Sequence, residues 1–401
     1  MKTYMIGDLC TFDKGASIPR ARMKGTGDYL YLHYGDLYKG HNLYIDIENP
    51  ETAVPYISNT EKIKPSQLVF NEDIIYILTS ETVDDLGKAL LVIDPKQQPI
   101  IAGTETTIMR INRRDIILPR YLNYLIQTDS FRKSLQQYVT GMKVFRVHPR
   151  DISKITIEIP DRDTQLKVVQ MLDALSSKIK LNSKINDYLA ETAVALFNRE
   201  CSQSNEPNAM LSDIAQITMG QSPSGSSYNE EGDGEVFYQG RAEFGAFFPR
   251  RRLFTTKPKR MAKEGDTLMS VRAPVGDLNI ANENCCIGRG LAAIHSENNQ
   301  SFVHYLVRAQ KRILNTFNGD GTVFGSINGK ALKELPVFLP GNDVIAHLES
   351  QLKSIDELIR RNDDEMQALE QMRDTLLPRL MSGEIDVSQI EVPKQLNNHF
   401  G

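Results

Sequence analysis

The stretch from Arg241 to Arg260 carries the residue types that a DNA-binding surface needs. It holds seven basic residues and one acidic residue, with four phenylalanines between them. Lys and Arg side chains neutralise phosphates, and one or two of them can reach base edges. The stretch therefore predicts a DNA-facing surface, although a solvated loop with inward-pointing phenylalanines would have the same composition. The basic candidates here and just beyond are Arg241, Arg250, Arg251, Arg252, Lys257, Lys259, Arg260 and Arg272.

Two further pairs of loops, with one member of each pair in each half of the chain, hold basic or short polar residues. Such side chains can bond bases or phosphates, but any surface loop can also carry them. In the second pair, Phe145 and Phe324 are expected to pack in the core. The candidates of the first pair are Lys14, Arg20, Arg22 and Lys24, and Gln221, Ser222 and Ser224. Those of the second pair are Lys143, Arg146 and His148, and Ser326, Asn328 and Lys330.

Motifs for enzymatic chemistry are not found in the sequence. No G-x-G-x-x-G follows a predicted strand, and residues 325–331 miss the P-loop spacing by one residue. There is no H-E-x-x-H, and the four cysteines form no C-x-x-C pair. Asn49-Pro50 lacks the Pro and aromatic residue with which an adenine methyltransferase grips a flipped base. We therefore expect no catalytic residue, metal or cofactor on this chain; an enzyme without a recognisable motif is an alternative.

The composition is that of an ordinary globular protein. The chain has 401 residues, 40 % hydrophobic and 24 % charged, with a net charge of −4. This length favours two or three domains, and the composition excludes collagen-like and disordered classes. A uniformly basic coat protein is excluded, whereas a binder with locally clustered charge is not. Asp8 precedes any apolar run, and no apolar stretch reaches the ~18 residues of a membrane span, so we expect a cytoplasmic protein.

The chain repeats itself. Residues 6–15 and 211–220 share an apolar residue, an Asp two places later, and a Gly seven places after that Asp. Residues 71–77 resemble 263–269, and 151–160 resemble 331–340. The offset between halves falls from 205 to 180 along the chain, so the first half has about 25 extra residues. Matches in the same order indicate two similar modules.

A long helical stretch follows each module. Apolar residues and one Asn recur in each at three- and four-residue spacing, which is typical of a coiled-coil seam in which Asn sets the register. The charge is +2 over residues 164–199 and −5 over 342–375, which favours pairing and leaves acidic surface for a protein partner. The predicted seam residues are Leu172, Leu175, Ile179, Asn182, Ile185 and Leu189, and Leu348, Leu352, Ile355, Ile359, Asn362, Met366, Leu369 and Met372. The acidic residues are Asp356, Glu357, Asp363, Asp364 and Glu365.

The predicted fold class is α+β, with two similar domains alternating with two long helices that form an antiparallel coiled coil in a pseudo-twofold repeat. Strands are expected at 74–78, 155–159 and 335–339, and helices around Pro119–Gln137 and Ser301–Asn315. The predicted boundaries are a domain at 1–160, a helix at 161–200, a domain at 201–340, a helix at 341–383 and a tail at 384–401. A polar linker over 201–208 opens the second half.

Four stretches carry a family resemblance. They are MSVRAPVGDLNIA at 269–281, CCIGRGLAAI at 285–294, GTVFGSINGK at 321–330 and LEQMRDTLLPRLMSGEI at 369–385. With them, nearly the whole sequence resembles the specificity subunits of type I restriction-modification systems, and the last stretch resembles the end of that family's second spacer helix. The first half departs more, since RVHPR at 146–150 differs from the second half's GSING.

The resemblance implies two target-recognition domains, each reading one half of a bipartite, asymmetric site in double-stranded DNA. It implies helices that set the spacer and dock methyltransferase (modification) subunits. Methylation of adenine N6 and DNA cleavage would be carried out by partner modification and restriction/translocase subunits, on which S-adenosylmethionine, ATP and Mg are expected. A repeat and coiled-coil scaffold that binds only proteins is the alternative, and salt-dependent, sequence-selective duplex binding would separate the two.

Overall fold

The computed structural model describes residues 1–38, 43–47, 54–83, 86–94, 96–201, 206–319, 325–388 and 390. The chain divides into two compact units, Met1–Lys178 with Ala368–Gly401, and Ile179–Gln367. Phe324, half of the predicted linker and most of the predicted tail lie outside the described residues. Within the described part, no helix is long and apolar enough to cross a membrane.

The first half contains short strands and helices, followed by one long helix. Its strands are β1 (Lys2–Met5), β2 (Cys10–Lys14), β3 (Tyr29–Leu32), β4 (Tyr44–Asp46), β5 (Tyr56–Ile57), β6 (Leu68–Val69), β7 (Ile74–Ile77), β8 (Thr79–Ser80), β9 (Lys88–Ile93), β10 (Ile100–Ala102), β11 (Thr106–Ile111), β12 (Phe145–Arg146) and β13 (Thr156–Ile159). Its helices are α1 (Ile6–Leu9), α2 (Tyr34–Leu37), α3 (Pro119–Leu125), α4 (Asp129–Gln136), α5 (Pro149–Ile152) and α6 (Arg162–Glu200).

The second half follows the same plan. Its strands are β14 (Ala209–Met210), β15 (Gln216–Met219), β16 (Tyr228–Asn229), β17 (Glu235–Tyr238), β18 (Leu253–Thr255), β19 (Met261–Ala262), β20 (Thr267–Ser270), β21 (Leu278–Ile280), β22 (Cys285–Ile287), β23 (Leu291–His295) and β24 (Pro336–Val337). Its helices are α7 (Gln300–Ala309), α8 (Lys311–Asn315), α9 (Gly329–Lys333) and α10 (Asn342–Met381).

The first unit packs helices on one face of a five-stranded sheet and a four-stranded sheet on the other. The sheet orders are β2-β11-β7-β9-β4 and β5-β3-β10-β6. Strand β7 shows how sequence alternation builds these layers, because successive side chains of a strand point to opposite faces. Ile74 and Tyr76 pack in the cluster shared with the helices, whereas Ile75 and Ile77 pack in the cluster between the sheets.

The second unit repeats this arrangement with sheets β15-β23-β20-β21 and β16-β18-β17-β22-β19. Met269 of β20 packs with α7 and the long helices, and the neighbouring Leu268 packs between the sheets. The parallel pair β3/β10 in the first unit corresponds to β17/β22 in the second. Strand β4, which pairs with β9, is an addition in the first unit. Both units therefore mix helices and sheets in one plan, as the repeat predicts.

Two of the predicted helices are interrupted. The stretch Pro119–Gln137 forms α3 and α4, because the Thr128 hydroxyl caps α4 by accepting a hydrogen bond from the Phe131 backbone N–H at 3.3 Å. The stretch Ser301–Asn315 likewise forms α7 and α8, which meet at Gln310. The three predicted strands correspond to β7, β13 and β24.

Within the second unit, α6 and α10 contact each other in antiparallel order. Asn182 Nδ2 donates to Glu365 Oε2 at 2.7 Å, and Asn186 Nδ2 donates to the carbonyl of Ile359 at 3.1 Å. Asn362 Nδ2 donates to Asn186 Oδ1 at 2.8 Å. As residue numbers rise along α6, those of the partners on α10 fall.

The seam of α6 differs from the predicted one at one residue. Ile185 is 37 % exposed, and the neighbouring Asn186 is fully buried against α10. The prediction of Ile185 as a seam residue is therefore wrong, because the helix turns the amide face of Asn186 toward its partner. Met372 of α10, also predicted for the seam, is 50 % exposed, so that prediction is wrong as well. The other predicted seam residues of the two helices are buried or half-buried. They include Leu172, Leu175, Ile179, Leu352, Ile355, Ile359, Met366 and Leu369.

Asp356 also lies elsewhere than predicted. The sequence places it on an exposed acidic surface, but its carboxylate accepts a hydrogen bond from the Tyr305 hydroxyl at 2.8 Å. Burial raises the pKa of Asp356 to about 6. Glu357, Asp364 and Glu365 are exposed, and Glu365 also accepts a hydrogen bond from Asn182. The free acidic surface of α10 is therefore smaller than the charge count suggests.

Candidate nucleic-acid interface

A concave cleft of about 240 Å³ lies in the second unit, where several strands of its two sheets end. Ser270 ends β20, Gln239 directly follows β17, and Arg289 follows β22 by two residues. The polar and basic lining residues are Ser222, Gln239, Arg241, Ser270, Arg272 and Arg289. Three of these, Ser222, Arg241 and Arg272, are predicted candidates from separate stretches of the chain that the fold brings together.

Backbone contacts hold the cleft in shape. The N–H of Gln221 donates to the carbonyl of Ile287 at 2.9 Å, and the N–H of Arg289 donates to Ser222 Oγ at 3.2 Å. Gly288 and Gly290 flank Arg289, and a Cβ on either would lie 2.8 Å from the carbonyl oxygen of Gln239. Glycines are needed here because the two chain segments approach so closely. Arg289 is therefore presented on a fixed backbone.

The arginines of the cleft differ in their partners. Arg241 forms an ion pair with Asp277. Among the residues that the structure describes, Arg272 and Arg289 have no side-chain hydrogen bond or ion pair, and both are exposed. Two uncompensated guanidinium groups in one concavity attract an anion or an acceptor-rich surface, and nucleic acid offers both.

The basic stretch beyond Arg241 is partly neutralised within the protein. Arg251 forms a bidentate pair with Glu283, with distances of 2.5 and 2.8 Å, and this bonding raises the pKa of Arg251. Arg252 Nη2 lies 2.6 Å from Oε1 of Glu243, whose side chain is only 2 % exposed. Both arginines therefore stabilise the fold as well as carrying charge. The remaining basic candidates of the stretch, Arg250, Lys257, Lys259 and Arg260, are exposed.

The phenylalanines of this stretch point inward. Phe248 is 6 % exposed, and Phe244 and Phe254 pack against the cluster between the two sheets. This agrees with the alternative interpretation for the aromatic residues, while the cations beside them stay at the surface. Arg260 also lines a second depression, of about 710 Å³, together with Lys330 and Lys333.

Several polar candidates have a local structural role. His148 Nδ1 accepts a hydrogen bond from the N–H of Arg150 at the start of α5, at 3.2 Å. Asn328 Oδ1 accepts one from the N–H of Ala331 at the start of α9, at 2.9 Å. The two residues occupy matching places in the repeat and cap matching helices. Helix capping accounts for the presence of both side chains at these positions. That they also contact DNA stays a prediction.

The remaining candidates lie on separate loops and strand ends. Arg20 pairs with Asp36 at 2.7 Å and Arg22 with Glu61 at 3.0 Å, both at the surface of the first unit. Arg146 pairs with Thr79 across β12 and β8, and Ser326 forms the matching bridge with Arg272. Lys330 lies 3.9 Å from Glu334. Lys14, Lys24, Lys143, Gln221 and Ser224 are exposed.

Sequence reasoning missed Gln239 and Arg289. Neither lies in a basic run or in a matched loop, so composition did not single them out. The Gly-Arg-Gly sequence at 288–290 was a usable signal, because an exposed charged residue between two glycines suggests a constrained backbone beside another segment. The contact with the Gln239 backbone is the physical reason for those glycines.

The comparisons with known proteins agree on one class. The family model for the type I restriction modification DNA specificity domain matches residues 1–191 and 208–367. The chain is 29 % identical over 363 residues, 84 % of each chain, to the "Putative type I restriction enzyme MjaX specificity subunit" of Methanocaldococcus jannaschii. It is 21 % identical to the type I restriction enzyme HindI specificity subunit of Haemophilus influenzae, covering 96 % of this chain and 99 % of the relative.

A solved structure shares the fold. The S subunit of a type I restriction-modification system from M. genitalium matches with a TM-score of 0.57 at 16 % identity, covering 94 % of this chain and 95 % of that one. At this identity the likeness concerns the fold alone.

Proposed function

The chain belongs to the family of type I restriction-modification DNA specificity subunits, and from this premise we propose how its two halves divide DNA recognition. It is the non-catalytic subunit that supplies sequence specificity to a methyltransferase and restriction complex. We propose that residues 1–160 and 201–340 are the two target-recognition domains and that each reads one half of a bipartite, asymmetric DNA site.

One observation supports the assignment of one half-site to each domain: the same two-sheet module occurs in each half of the chain. The strand order β2-β11-β7-β9 of the first half recurs as β15-β23-β20-β21 in the second. The loops at the strand ends differ in sequence and charge between the halves. A conserved framework with different loops is suited to reading two different short sequences, since bases are read by loop side chains and not by the framework.

The long helices are proposed to form an antiparallel coiled coil that sets the spacer between half-sites. The buried Asn182 and Asn186 and the half-buried Asn362 support this role, because polar residues bonded between paired helices favour one register. Helix α6 has 39 residues, which at ~1.5 Å per residue gives about 58 Å. That length exceeds one turn of DNA, ~34 Å, so recognition modules at its ends can address half-sites on one face of the duplex.

We propose that methyltransferase subunits dock on these helices and that restriction/translocase subunits join the complex. Leu181, Ile185 and Tyr188 support a docking surface, since they follow one face of α6 and are 53, 37 and 67 % exposed. On this proposal S-adenosylmethionine, ATP and Mg bind to the partner subunits, and the complex acts in the cytoplasm.

A domain exchange tests the division of labour. Residues 211–340 are replaced by the matching module of a related specificity subunit, and the complex is expressed with its methyltransferase partner. We expect the methylated motif, read by sequencing of modified DNA, to change in one half-site and to keep the other half-site and the spacer. A change in both halves would show that the modules do not read DNA independently. Absence of any methylated bipartite motif with the unaltered chain, despite an assembled complex, would contradict DNA recognition itself.

A further inference from the structure

The two halves of the chain place different side chains at three equivalent positions of the fold. Backbone hydrogen bonds establish the first two equivalences. Gly103 N–H donates to the carbonyl of Leu32 at 3.0 Å, as Gly288 N–H does to that of Tyr238 at 2.8 Å. The next residues along the chain are therefore equivalent: His33 with Gln239, and Thr104 with Arg289.

The third equivalence comes from the loop that precedes α5 and α9. Val147 N–H donates to the carbonyl of Leu78 at 3.0 Å, and Ile327 N–H donates to that of Val271 at 3.0 Å. Thr79 and Arg272, the residues that follow, are thus equivalent, and each bridges to the loop residue before the donor. We call the three pairs, His33/Gln239, Thr79/Arg272 and Thr104/Arg289, the reading positions.

At the reading positions the second half carries side-chain hydrogen-bond donors that have no acceptor among the described residues. Gln239, Arg272 and Arg289 line one cleft of about 240 Å³. In the part of the chain that the structure describes, neither arginine has a side-chain partner. A guanidinium group presents two parallel donors, which match the O6 and N7 acceptors of guanine in the major groove. A phosphate can also accept these donors, but it requires no fixed orientation.

The first half offers different chemistry at the same positions. Its residues are His33, Thr79 and Thr104, so no guanidinium is present there. The Nδ1 atom of His33 already accepts a hydrogen bond from Gly35 N–H at 3.2 Å, and the Thr104 hydroxyl lies 3.0 Å from that of Tyr31. Two of the three side chains are thus held by neighbours within the protein.

The rigidity of the second half favours base contacts over phosphate contacts. The backbone of Arg289 lies between two glycines packed against the Gln239 backbone, and the backbone of Arg272 is held by its bridge to Ser326. The exposed cations Lys257 and Lys259, in contrast, lie in the basic stretch outside this cleft. A fixed concavity suits oriented recognition of a base edge, whereas a loose basic rim suits phosphates.

We propose that Arg272 and Arg289 read guanine in the half-site of the second domain, with Gln239 contacting a neighbouring base. Specificity then differs between the half-sites because the reading positions differ. This inference rests on the proposed function of each half as a target-recognition domain, and it adds the positions and the base class.

The experiment exchanges the reading positions within the complete complex. Arg272→Thr and Arg289→Thr introduce the residue of the first half, and Lys259→Thr is the matched control that removes a cation outside the cleft. The domain exchange of residues 211–340 identifies which half-site belongs to the second domain. The readouts are the methylated motif and binding to duplexes in which each guanine of that half-site is replaced in turn, over a range of salt concentrations.

We expect each arginine variant to lose discrimination at one guanine position by about 5- to 150-fold and to leave the other half-site unchanged. Binding to the duplex already lacking that guanine should be the same for variant and unaltered protein. Lys259→Thr should weaken binding to all sequences alike and reduce the slope of log affinity against log salt by ~0.9. Arg272→Lys and Arg289→Lys keep the charge but not the paired donors, so they should keep the salt slope and lose part of the discrimination, which separates base reading from folding.

Three results would overturn the inference. One is a half-site of the second domain that contains no G·C pair. Another is a uniform loss of affinity with a reduced salt slope in the arginine variants, which indicates phosphate contacts. The third is full guanine discrimination in both Thr variants. All three leave a bipartite methylated motif in place, so they differ from failure of the proposed function, in which no such motif is found.

Discussion

At the scale of residues, equal charges in this protein have unequal roles. Arg252 is bonded to the buried Glu243, and Arg251 to Glu283, whereas Arg272 and Arg289 have no side-chain partner among the described residues. Removing a paired arginine leaves a carboxylate without its counter-charge, and the measured effect then mixes stability with binding. Replacing Arg250, Arg251 and Arg252 together would therefore be a poor test of DNA contact.

Asp356 gives a prediction at this scale. Its pKa of about 6 in the folded protein lies above the ordinary value of 3.8, because burial disfavours the carboxylate. The folded state thus binds this proton more tightly than the unfolded state does. The resulting contribution to the free energy of unfolding, roughly 2–3 kcal/mol, is complete below pH 4 and is lost as the pH rises through 6. Asp356→Asn keeps an acceptor for the Tyr305 hydroxyl without a titrating group.

We therefore expect the difference in free energy of unfolding between Asp356→Asn and the unaltered protein to rise in favour of the variant between pH 4 and 7. Urea unfolding at several pH values measures it. Glu349 and Arg308 act on Asp356 in opposite directions and are present in both proteins, so their own effects cancel to first order. If the free energies of unfolding of the two proteins changed in parallel with pH, the raised pKa of Asp356 would be contradicted.

At the scale of elements, the partner decides which face of a helix is buried. The spacing in α6 fits a seam through Ile185, yet the contacts with α10 in the second unit use Asn182 and Asn186. Shifting the seam by one residue rotates the helix by about 100° locally, and a partner's polar atoms can favour that rotation. Here Asn362 and the carbonyl of Ile359 bond Asn186 and explain its burial.

Paired alanine substitutions test this seam. Leu352 is fully buried in the core of the second unit, so Leu352→Ala should lower the free energy of unfolding by about 2–5 kcal/mol through lost contacts and a cavity. Ile185→Ala should cost no more than about 1 kcal/mol, because Ile185 is 37 % exposed. Urea unfolding of both variants, with helix content followed by circular dichroism, provides the comparison. An equal loss of free energy of unfolding in the two variants would show that Ile185 belongs to the seam after all.

At the scale of the whole molecule, the proposed function assigns distance to the helices and sequence to the modules. The alternation of module and helix keeps these properties on separate parts of the chain. Separate parts can change independently, so a change in helix length should alter the spacer without altering the recognised bases. This independence is what we expect if the long helices set the spacer between the half-sites.

Matched insertions in the two long helices test whether these helices set the spacer. Four residues after Asn182 and four after Asn362 each add about 6 Å at ~1.5 Å per residue, close to two base-pair rises of ~3.4 Å. The insertion points oppose each other, since Asn182 bonds Glu365 and Asn186 bonds Asn362. Four residues turn a helix by about 400°, so the seam beyond moves by only some 40°, as in a stutter.

The doubly altered subunit should prefer a longer spacer between the same two half-sites, and duplexes whose spacer grows by single base pairs measure this preference. An insertion in one helix alone should break the pairing and lower stability, which provides the control. An unaltered spacer in a stable, assembled complex would show that the helices do not set the distance.

The sequence by itself determined the repeat, the two long helices and the mixed helix and sheet content, and it carried the family resemblance. These properties lie along the chain: a repeat is a constant offset, and helices and strands are local periods of apolar residues. Strands such as β7 and β13 were predictable because alternation and a closing turn or proline lie within a few residues.

Only the tertiary structure decided which candidates meet. Ser222, Gln239, Arg272 and Arg289 share a cleft because four separate strand ends and loops converge there, and no local pattern encodes that convergence. The same holds for the pairing of Arg251 with Glu283 and for the burial of Asn186 in place of Ile185. Availability of a side chain depends on its neighbours in space, and in this protein those neighbours come from distant parts of the chain.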